Sequence, residues 1–175
     1  RRQRQMCIET ARGLYQLSDN FFRFWYSFVF PYRSELERGD VEGVYERHIK
    51  PVLHDFAGKP FEGLCREWMW RESAAGRLPF RARAVGRWWD RQDEIDVMAV
   101  DNASDAAIVG ECKFRNAPVD RSVLNLLRDR AARTGIGQRT YLLFSLGGFD
   151  QSLVDDAAAS QSDVQLVGID ELFHE

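Results

Sequence analysis

Two neighbouring segments near the middle of the chain constrain its fold more than any other feature. Residues 94–100 and 106–114 are apolar, strand-like runs, and the turn residues 101–105 separate them. They predict an antiparallel hairpin, because a short turn can join only antiparallel strands. Charged residues interrupt both runs. Since strand side chains alternate between faces, Glu111 and Lys113 are expected to point the same way.

The predicted hairpin gathers two carboxylates and one ammonium group. Regular alternation puts Asp96 on one face with Glu94 and Met98, and the hairpin can bring it beside Glu111. Adjacent carboxylates repel each other unless positive charge lies between them. Lys113 can supply part of that charge. Mg²⁺, or alternatively Mn²⁺, can supply more, because such ions bind oxygen and are often held by one or two carboxylates. A metal there could polarise a phosphoryl oxygen and activate a water, which Lys113 would orient.

The elements around the hairpin predict an α/β fold. A helix is expected to begin at Pro60, which suits a first helical turn, and to end at Gly76. After it come three strands, a helix, a strand, a short helix and a last strand, at residues 78–85, 94–100, 106–114, 121–133, 140–145, 152–159 and 164–169. The strand at 140–145 is almost wholly apolar, as expected for a strand buried on both faces.

The N-terminal third is predicted to be helical. Asp19 or Ser18 can cap a helix that runs to Phe30 and is apolar on most sides. A second helix is expected at residues 40–50. The run Gly58-Lys59-Pro60 predicts a break in the chain. The absence of an initiator methionine indicates a fragment of a longer protein. Two domains are therefore expected, at residues 1–58 and 59–175.

The order of elements and their charged residues resemble the PD-(D/E)XK, or restriction-endonuclease-like, superfamily. Asp96 followed by Glu111-x-Lys113 matches its motif, and Glu62 matches an acidic residue that many members carry on the preceding helix. The resemblance implies an α-β-β-β-α-β core with a mixed sheet, preceded by a helical region. It also implies that Asp96 and Glu111 bind Mg²⁺, that Lys113 is catalytic, and that Glu62 assists the hydrolysis of a phosphodiester.

A closer resemblance covers nearly the whole chain. Tyr15-Gln16-Leu17-Ser18-Asp19, Gly86-Arg87-Trp88-Trp89 and Gly110-Glu111-Cys112-Lys113 look like blocks of the C-terminal nuclease-like domain of archaeal-type AAA+ ATPases. It implies that residues 1–58 hold the end of a winged helix and a helical linker. It also implies DNA as the substrate, and the ATPase and winged-helix modules of the same full-length chain as partners. The chain has no G-x-x-x-x-G-K-[ST] motif, so it is not expected to hydrolyse ATP.

The composition of the chain narrows the classes of protein to which it can belong. With 24 basic and 27 acidic residues, the net charge of -3 argues against a protein that coats nucleic acid through bulk charge. Three cysteines without a CxxC pair indicate a reducing compartment, and the cytoplasm is expected. The longest apolar stretch, residues 21–30, is broken by Arg23 and too short to cross a bilayer, so no membrane association is expected.

The same residues allow a different class of function, a non-catalytic regulatory or docking domain of the ATPase. The charged strand residues would then form ordinary salt bridges, and Glu62 would pair with Arg66 one helical turn later. The aromatic N-terminal helices would contact the ATPase or a second copy in a homo-oligomer. Trp88 and Trp89 are either packing residues or surfaces on which bases stack.

Overall fold

The computed structural model describes residues 19–101 and 105–173. Residues 1–18, at the start of the predicted winged-helix end, and most of the predicted turn after Asp101 lie outside the described residues. The chain divides into two compact units, with the boundary between Pro60 and Phe61. The first unit is helical, and the second combines helices with a mixed sheet. The fold class is therefore α/β with a helical N-terminal region.

The first unit is built from short helices, two of them π-helical. The Asp19 carboxylate caps the first helix by accepting hydrogen bonds from the backbone N–H groups of Phe21 and Phe22, at 2.8 and 3.2 Å. The buried Phe28 ring packs edge-on against Phe56, with ring centres 5.0 Å apart. The elements are α1 (Asn20–Phe24), a π-helix (Trp25–Val29), α2 (Arg33–Glu37), α3 (Val41–Val44), a second π-helix (Tyr45–Ile49) and α4 (Lys50–Ala74).

The last of these helices, α4, is longer than the sequence predicts. The prediction that a new helix begins at Pro60 was wrong, because one helix continues through Pro60 to Ala74, although the two compact units do divide directly after Pro60. A proline in a helix interior costs about 3 kcal/mol. Phe61 and Met69, which follow it, are at most 2% exposed, and burying each such side chain stabilises by about 1.5–3 kcal/mol. Burial after the proline therefore outweighs a local signal for a turn.

The second unit contains a five-stranded mixed sheet. Its elements after α4 are β1 (Ala84–Trp89), β2 (Glu94–Asp101), β3 (Ala106–Lys113), α5 (Arg121–Arg133), β4 (Gln138–Ser145), α6 (Gln151–Ala158), β5 (Val164–Gly168) and a 3₁₀-helix (Asp170–Leu172). The strands lie in the order β1-β2-β3-β4-β5. β1, β2 and β3 pair antiparallel, whereas β3, β4 and β5 pair parallel. The succession of helix, three strands, helix, strand, helix and strand agrees with the sequence prediction.

The first strand lies later in the chain than predicted. Residues 78–83 form an irregular segment, and β1 begins only at Ala84. Leu78 and Ala82 are buried within this segment, and the Ala82 N–H donates to the Ser73 hydroxyl at 2.7 Å. Leu78 and Ala82 are therefore buried without forming a strand. The Ser73 side chain of α4, and not a neighbouring strand, accepts the backbone N–H of Ala82.

Apolar side chains cover both faces of the sheet. The face towards α4, here the α4-side face, packs against buried residues of that helix. The face towards α5 and α6, here the α5-side face, packs against both of those helices. The α4-side cluster includes Phe61, Cys65, Trp68, Val97, Ala99, Ile108 and Phe144, and the α5-side cluster includes Ile95, Met98, Val109, Leu124, Leu127, Leu143 and Leu153. Within residues 19–101 and 105–173, no helix is both long enough and apolar enough to cross a bilayer.

Gly147 allows two loops to meet beside the end of β3. A Cβ atom at this position would meet the backbone carbonyl of Asn116 and would lie 2.6 Å from the Arg115 carbonyl oxygen. Since both obstacles are backbone atoms, Gly147→Ala is expected to destabilise the protein by about 1–3 kcal/mol, as overpacking does. Urea unfolding of the two proteins measures this difference.

Gly63→Ala is the matched control for that change. Gly63 lies inside α4, and a Cβ atom there would contact nothing within 4 Å. It is expected to stabilise the protein by about 0.5–1 kcal/mol, because alanine restricts the unfolded chain and favours the helix. Equal effects of the two substitutions would contradict the close approach at Gly147.

Candidate functional site

Glu111 and Lys113 lie side by side at the end of β3. The Lys113 ammonium is 2.7 Å from Glu111 Oε1, so the two side chains share a face as strand alternation predicts. Glu111 Oε2 accepts a second charged hydrogen bond, at 3.1 Å, from Nη1 of Arg130 on α5. Glu111 is buried and Lys113 is half-buried. The carboxylate is thus held from two sides by positive charge.

Asp96 lies where β2 departs from regular pairing. In the pairing with β1, Met98 lies opposite Gly86 and Ile95 lies opposite Trp88. Two residues separate Ile95 from Met98, but only one separates Gly86 from Trp88, so β2 contains one extra residue, a β-bulge. Ile95 and Met98 both pack on the α5-side face. The prediction that Asp96 shares a face with Met98 assumed an unbroken alternation, and that assumption was wrong.

The Asp96 carboxylate takes the place of a backbone acceptor between β2 and β3. Regular pairing of the two strands ends at Val97 and Gly110. One residue further on, Asp96 Oδ2 accepts the backbone N–H of Cys112 at 2.9 Å. This hydrogen bond fixes Asp96 beside Glu111 and Lys113 while the strands separate. The Cys112 side chain itself packs with the α4-side cluster, and burial raises the pKa of its thiol.

The charge around Asp96 is poorly balanced. Burial, followed by the negative charge of Glu111, raises the pKa of Asp96 to about 6, and the charge of Glu62 adds to the effect. The Cys112 N–H and the Lys113 ammonium lower this pKa, but by less than burial and the neighbouring carboxylates raise it. Ionisation of Asp96 is therefore less favourable than that of an exposed aspartate, mainly because the carboxyl group is buried.

Glu62 reaches the same region from α4. Its Oε2 lies 3.8 Å from Nη1 of Arg66 and 3.9 Å from Nε of Arg87 on β1. Both distances exceed those of hydrogen bonds, so the two contacts are loose ion pairs. The predicted pairing with Arg66 is present, and the charge of Glu62 still acts on the pKa of Asp96. Glu62 thus belongs to the electrostatic surroundings of Asp96.

The last turn of α5 ties the β1–β2 turn to the site. Arg133 donates to Asp90 at 2.7 Å and to Asp93 at 2.6 Å. Nε of Arg130 lies 3.5 Å from an Asp93 oxygen, while its Nη1 holds Glu111. The sequence identifies Arg130 only as one arginine of its helix. Its place next to Leu127 and Ala131, at the edge of the apolar stripe of α5, is the signal that could have predicted a contact with the sheet.

The carboxylates of this site are suitable ligands for a divalent cation. Asp96 and Glu111 offer carboxylate oxygens side by side, and the charge of Glu111 makes ionisation of the partly buried Asp96 less favourable. Among the described residues, no three His, Cys, Asp or Glu side chains form a group that could enclose a metal ion. An ion here would therefore be held by one or two carboxylates and take its other ligands from water and substrate, as Mg²⁺ often does.

A separate cleft of about 410 Å³ lies along α5 and contains none of the four candidate residues. Its two arginines are both paired, Arg121 with Asp156 at 2.5 Å and Arg128 with Asp163 at 2.7 Å. Because the aspartates neutralise these arginines, the cleft offers no free positive charge to an anion.

Comparison with known sequences assigns the chain to a family. The model of the DUF234 family, described as archaeal and bacterial proteins of unknown function, matches residues 25–132. The chain belongs to this family. The part that matches the DUF234 model contains Glu62, Asp96, Glu111 and Lys113, together with Arg130.

A relative of this DUF234 protein comes from an archaeon. An uncharacterized protein of Methanocaldococcus jannaschii is 32% identical over 124 residues, which make up 70% of this chain. The matched region is 27% of the length of that relative, so the chain spans about a quarter of it. No solved structure is significantly similar to the chain.

Proposed function

We propose that the second unit is a Mg²⁺-dependent nuclease that hydrolyses phosphodiester bonds, with DNA as its substrate. The observation that carries this proposal is the under-compensated carboxylate of Asp96, held by a backbone N–H beside the Glu111–Lys113 pair. Such a place attracts a hard cation, and perturbed carboxylates of this kind are concentrated at functional sites. The order of helices and strands also supports a restriction-endonuclease-like core.

Each candidate residue has a role that follows from its contacts. Asp96 and Glu111 hold the metal, which when bound supplies Lewis-acid polarisation of a phosphoryl oxygen. Lys113 donates one hydrogen bond to Glu111, and an ammonium has three N–H donors. Two donors therefore remain to orient the attacking water or to stabilise charge on the phosphate. Glu62 assists by adding negative charge near Asp96, which strengthens the attraction for the cation.

Arg130 keeps Glu111 ordered before metal and substrate arrive. The guanidinium is anchored to α5 and makes a charged hydrogen bond to Glu111 Oε2 at 3.1 Å. A carboxylate oxygen has two lone pairs, so this hydrogen bond still leaves Glu111 able to bind an ion. Arg130 therefore acts as a positioning residue, and its contact with Asp93 extends the support to the β1–β2 turn.

The proposed context is a larger chain. The unit would act as the C-terminal nuclease-like module of an AAA+ ATPase, with the winged helix as the more natural DNA anchor, because the net charge of -3 gives this chain little general attraction for DNA. A relative of which this chain spans about a quarter leaves room for such modules. A reducing compartment such as the cytoplasm suits the free thiols of Cys65 and Cys112.

Divalent cations are expected to stabilise the folded protein. If Mg²⁺ binds only the folded state with a Kd of about 1 mM, 10 mM Mg²⁺ adds about 1.4 kcal/mol, or roughly 3–6 °C in Tm. Glu111→Gln removes one of the two ligands and should abolish this rise, whereas Asp163→Asn, which changes a carboxylate of the α5 cleft, should retain it. Thermal unfolding monitored by circular dichroism, with Mg²⁺, Mn²⁺ or EDTA, provides the measurement. Identical melting curves in all three solutions would contradict a metal site.

One observation favours a second function, docking to another module. In the first unit Phe21, Phe22, Trp25, Tyr26 and Phe30 are between 41% and 65% exposed, although the sequence predicts that this helix is buried against something. Exposed aromatic patches of this kind mark contact surfaces. This surface would contact the ATPase of the longer chain or a second copy. A protein that neither binds divalent cations nor cleaves nucleic acid would leave docking as its function.

A further inference from the structure

A basic and aromatic surface lies next to Glu62 on the α4-side face. It consists of Arg66 on α4 with Arg87 and Trp89 on β1, and we call it the arginine–tryptophan surface. Arg87 and Trp89 are two residues apart and so share a face. Trp88, between them, packs with the α5-side cluster, and Arg87 reaches Glu62 of α4. Trp89 therefore projects on the α4 side of the sheet, the side from which Glu62 approaches Asp96.

The two arginines of this surface are incompletely satisfied. Nη1 of Arg66 is buried, yet it makes no hydrogen bond to any residue in the described part of the chain, and its distance of 3.8 Å to Glu62 is too long for one. Arg87 makes one hydrogen bond, at 2.9 Å, to the exposed Glu94, and its contact with Glu62 is 3.9 Å. A buried donor without a partner is unfavourable. The exposed parts of both guanidinium groups can still donate to an anion with several oxygens, because neither arginine forms a hydrogen bond with Glu62.

Trp89 offers a flat apolar surface next to these donors. It is 47% exposed, although it stands at the end of a strand whose preceding tryptophan packs into the core. In the strand pairing it lies opposite Glu94, two residues before Asp96. An exposed indole accepts the face of any nucleobase, and such stacking is tolerant of sequence.

Resting on the nuclease function proposed above, we propose that the arginine–tryptophan surface binds a single-stranded polynucleotide, with a base stacked on Trp89 and neighbouring phosphates on Arg66 and Arg87. In a duplex the face of each base is covered by its neighbours, so stacking on Trp89 requires an unpaired base. The substrate class of the site is therefore a single strand, or the unpaired end of a duplex.

Local charge adds a condition to this binding. Glu62 contacts both arginines of the surface and Glu94 lies opposite Trp89, so both carboxylates repel the phosphates of a bound strand. The exposed Glu94–Arg87 pair is of the kind that contributes little and exchanges easily. A divalent cation bound at Asp96 would reduce the repulsion between its carboxylate and the phosphates of the strand. Tight binding is therefore expected with a divalent cation and weak binding in EDTA.

The test measures binding and not cleavage. Fluorescence anisotropy of a short labelled oligothymidylate and oligouridylate, and of a blunt duplex, is recorded with the intact chain in Ca²⁺, with gels to verify that the probes stay intact. Trp89→Ala should weaken single-strand binding by about 5- to 150-fold, the range expected for losing one stacked base. Trp89→Phe should restore most of it. The tighter of the two single strands identifies DNA or RNA as the ligand.

Two control variants test whether loss of any exposed indole, or of any arginine, has the same effect as a change in the arginine–tryptophan surface. Trp70 is also an exposed indole, at 44%, but lies eight residues beyond Glu62 on α4, about 12 Å along the helix axis. Trp70→Ala should leave binding unchanged. Arg66→Gln should reduce the slope of log Kd against log salt by about 0.7, the contribution of one phosphate contact in a single strand. Arg128→Gln, in the α5 cleft, should not change that slope.

The outcomes also distinguish this proposal from the nuclease function. Loss of single-strand binding in Trp89→Ala, with retention in Trp70→Ala, supports the surface even if the protein cleaves nothing. Unchanged binding in Trp89→Ala, binding of the duplex as tight as that of the single strand, or no binding of any probe would overturn the surface. If Trp89→Ala binds single strands like the wild type and the protein still cleaves nucleic acid, the nuclease function stands and only the proposed surface is wrong.

Discussion

Replacing Lys113 with methionine is expected to slow phosphodiester cleavage by about 100- to 1,000-fold, the usual cost of removing one group that stabilises transition-state charge. Methionine keeps most of the length of the side chain and removes the ammonium that lies 2.7 Å from Glu111. The measurement is single-turnover cleavage of labelled single-stranded and duplex DNA in Mg²⁺ and in Mn²⁺. Lys50→Met, which changes a lysine paired with the exposed Glu46, should cleave like the wild type.

The same substitution tests whether Lys113 serves only the fold. Without its ammonium the buried Glu111 carboxylate retains Arg130 alone, so a loss of about 1–3 kcal/mol in unfolding free energy is expected. Circular dichroism at the assay temperature confirms that the variant remains folded. Equal cleavage rates for wild type and Lys113→Met, or no cleavage by the wild type of either substrate, would contradict the nuclease function.

Asp96→Asn is expected to raise the unfolding free energy at pH 7 by about 2–3 kcal/mol when no divalent cation is present. The pKa of Asp96 is about 6 in the folded protein because of burial and the charge of Glu111, whereas an unfolded aspartate has a pKa of about 3.9. The folded state therefore holds this proton more tightly than the unfolded state. Asparagine removes the unfavourable charge and can still accept the Cys112 N–H.

The effect of this substitution should depend on pH with a definite sign. Below about pH 4 both states are protonated, and Asp96 costs nothing. As the pH rises towards 6 the unfolded state has lost its proton and the folded state has not, so the stability of the wild type falls relative to Asp96→Asn. Urea unfolding of both proteins at pH 4, 5, 6 and 7 in EDTA measures the difference. A constant difference at all four values, or a less stable variant at pH 7, would show that Asp96 carries no excess charge.

The sequence predicts elements well where the local signals agree with the packing. Asp120 and Asp150 cap α5 and α6 by accepting backbone N–H groups of the first turn, and α5 spans the predicted residues 121–133. β3 also agrees, because its alternation between faces is unbroken. In these elements capping, periodicity and burial all favour the same structure.

The errors arise where an interaction distant in sequence outweighs a local preference. Pro60 lies inside α4 because the residues after it are buried, and residues 78–83 are irregular because Ser73 satisfies a backbone donor there. Of the site, the pairing of Glu111 with Lys113 follows from spacing within one strand. The contact of Glu111 with Arg130 spans 19 residues, and no local pattern determines which helix residue will meet that strand.

The extra residue in β2 has a consequence for how sites of this kind arise and disappear. A one-residue insertion in an ordinary hairpin is enough to open the pairing before Asp96 and to turn its carboxylate into an acceptor for a neighbouring strand. A one-residue deletion would close the ladder again and remove that acceptor position. The acceptor position therefore depends on the number of residues between the β1–β2 turn and β3 as well as on the identity of residue 96.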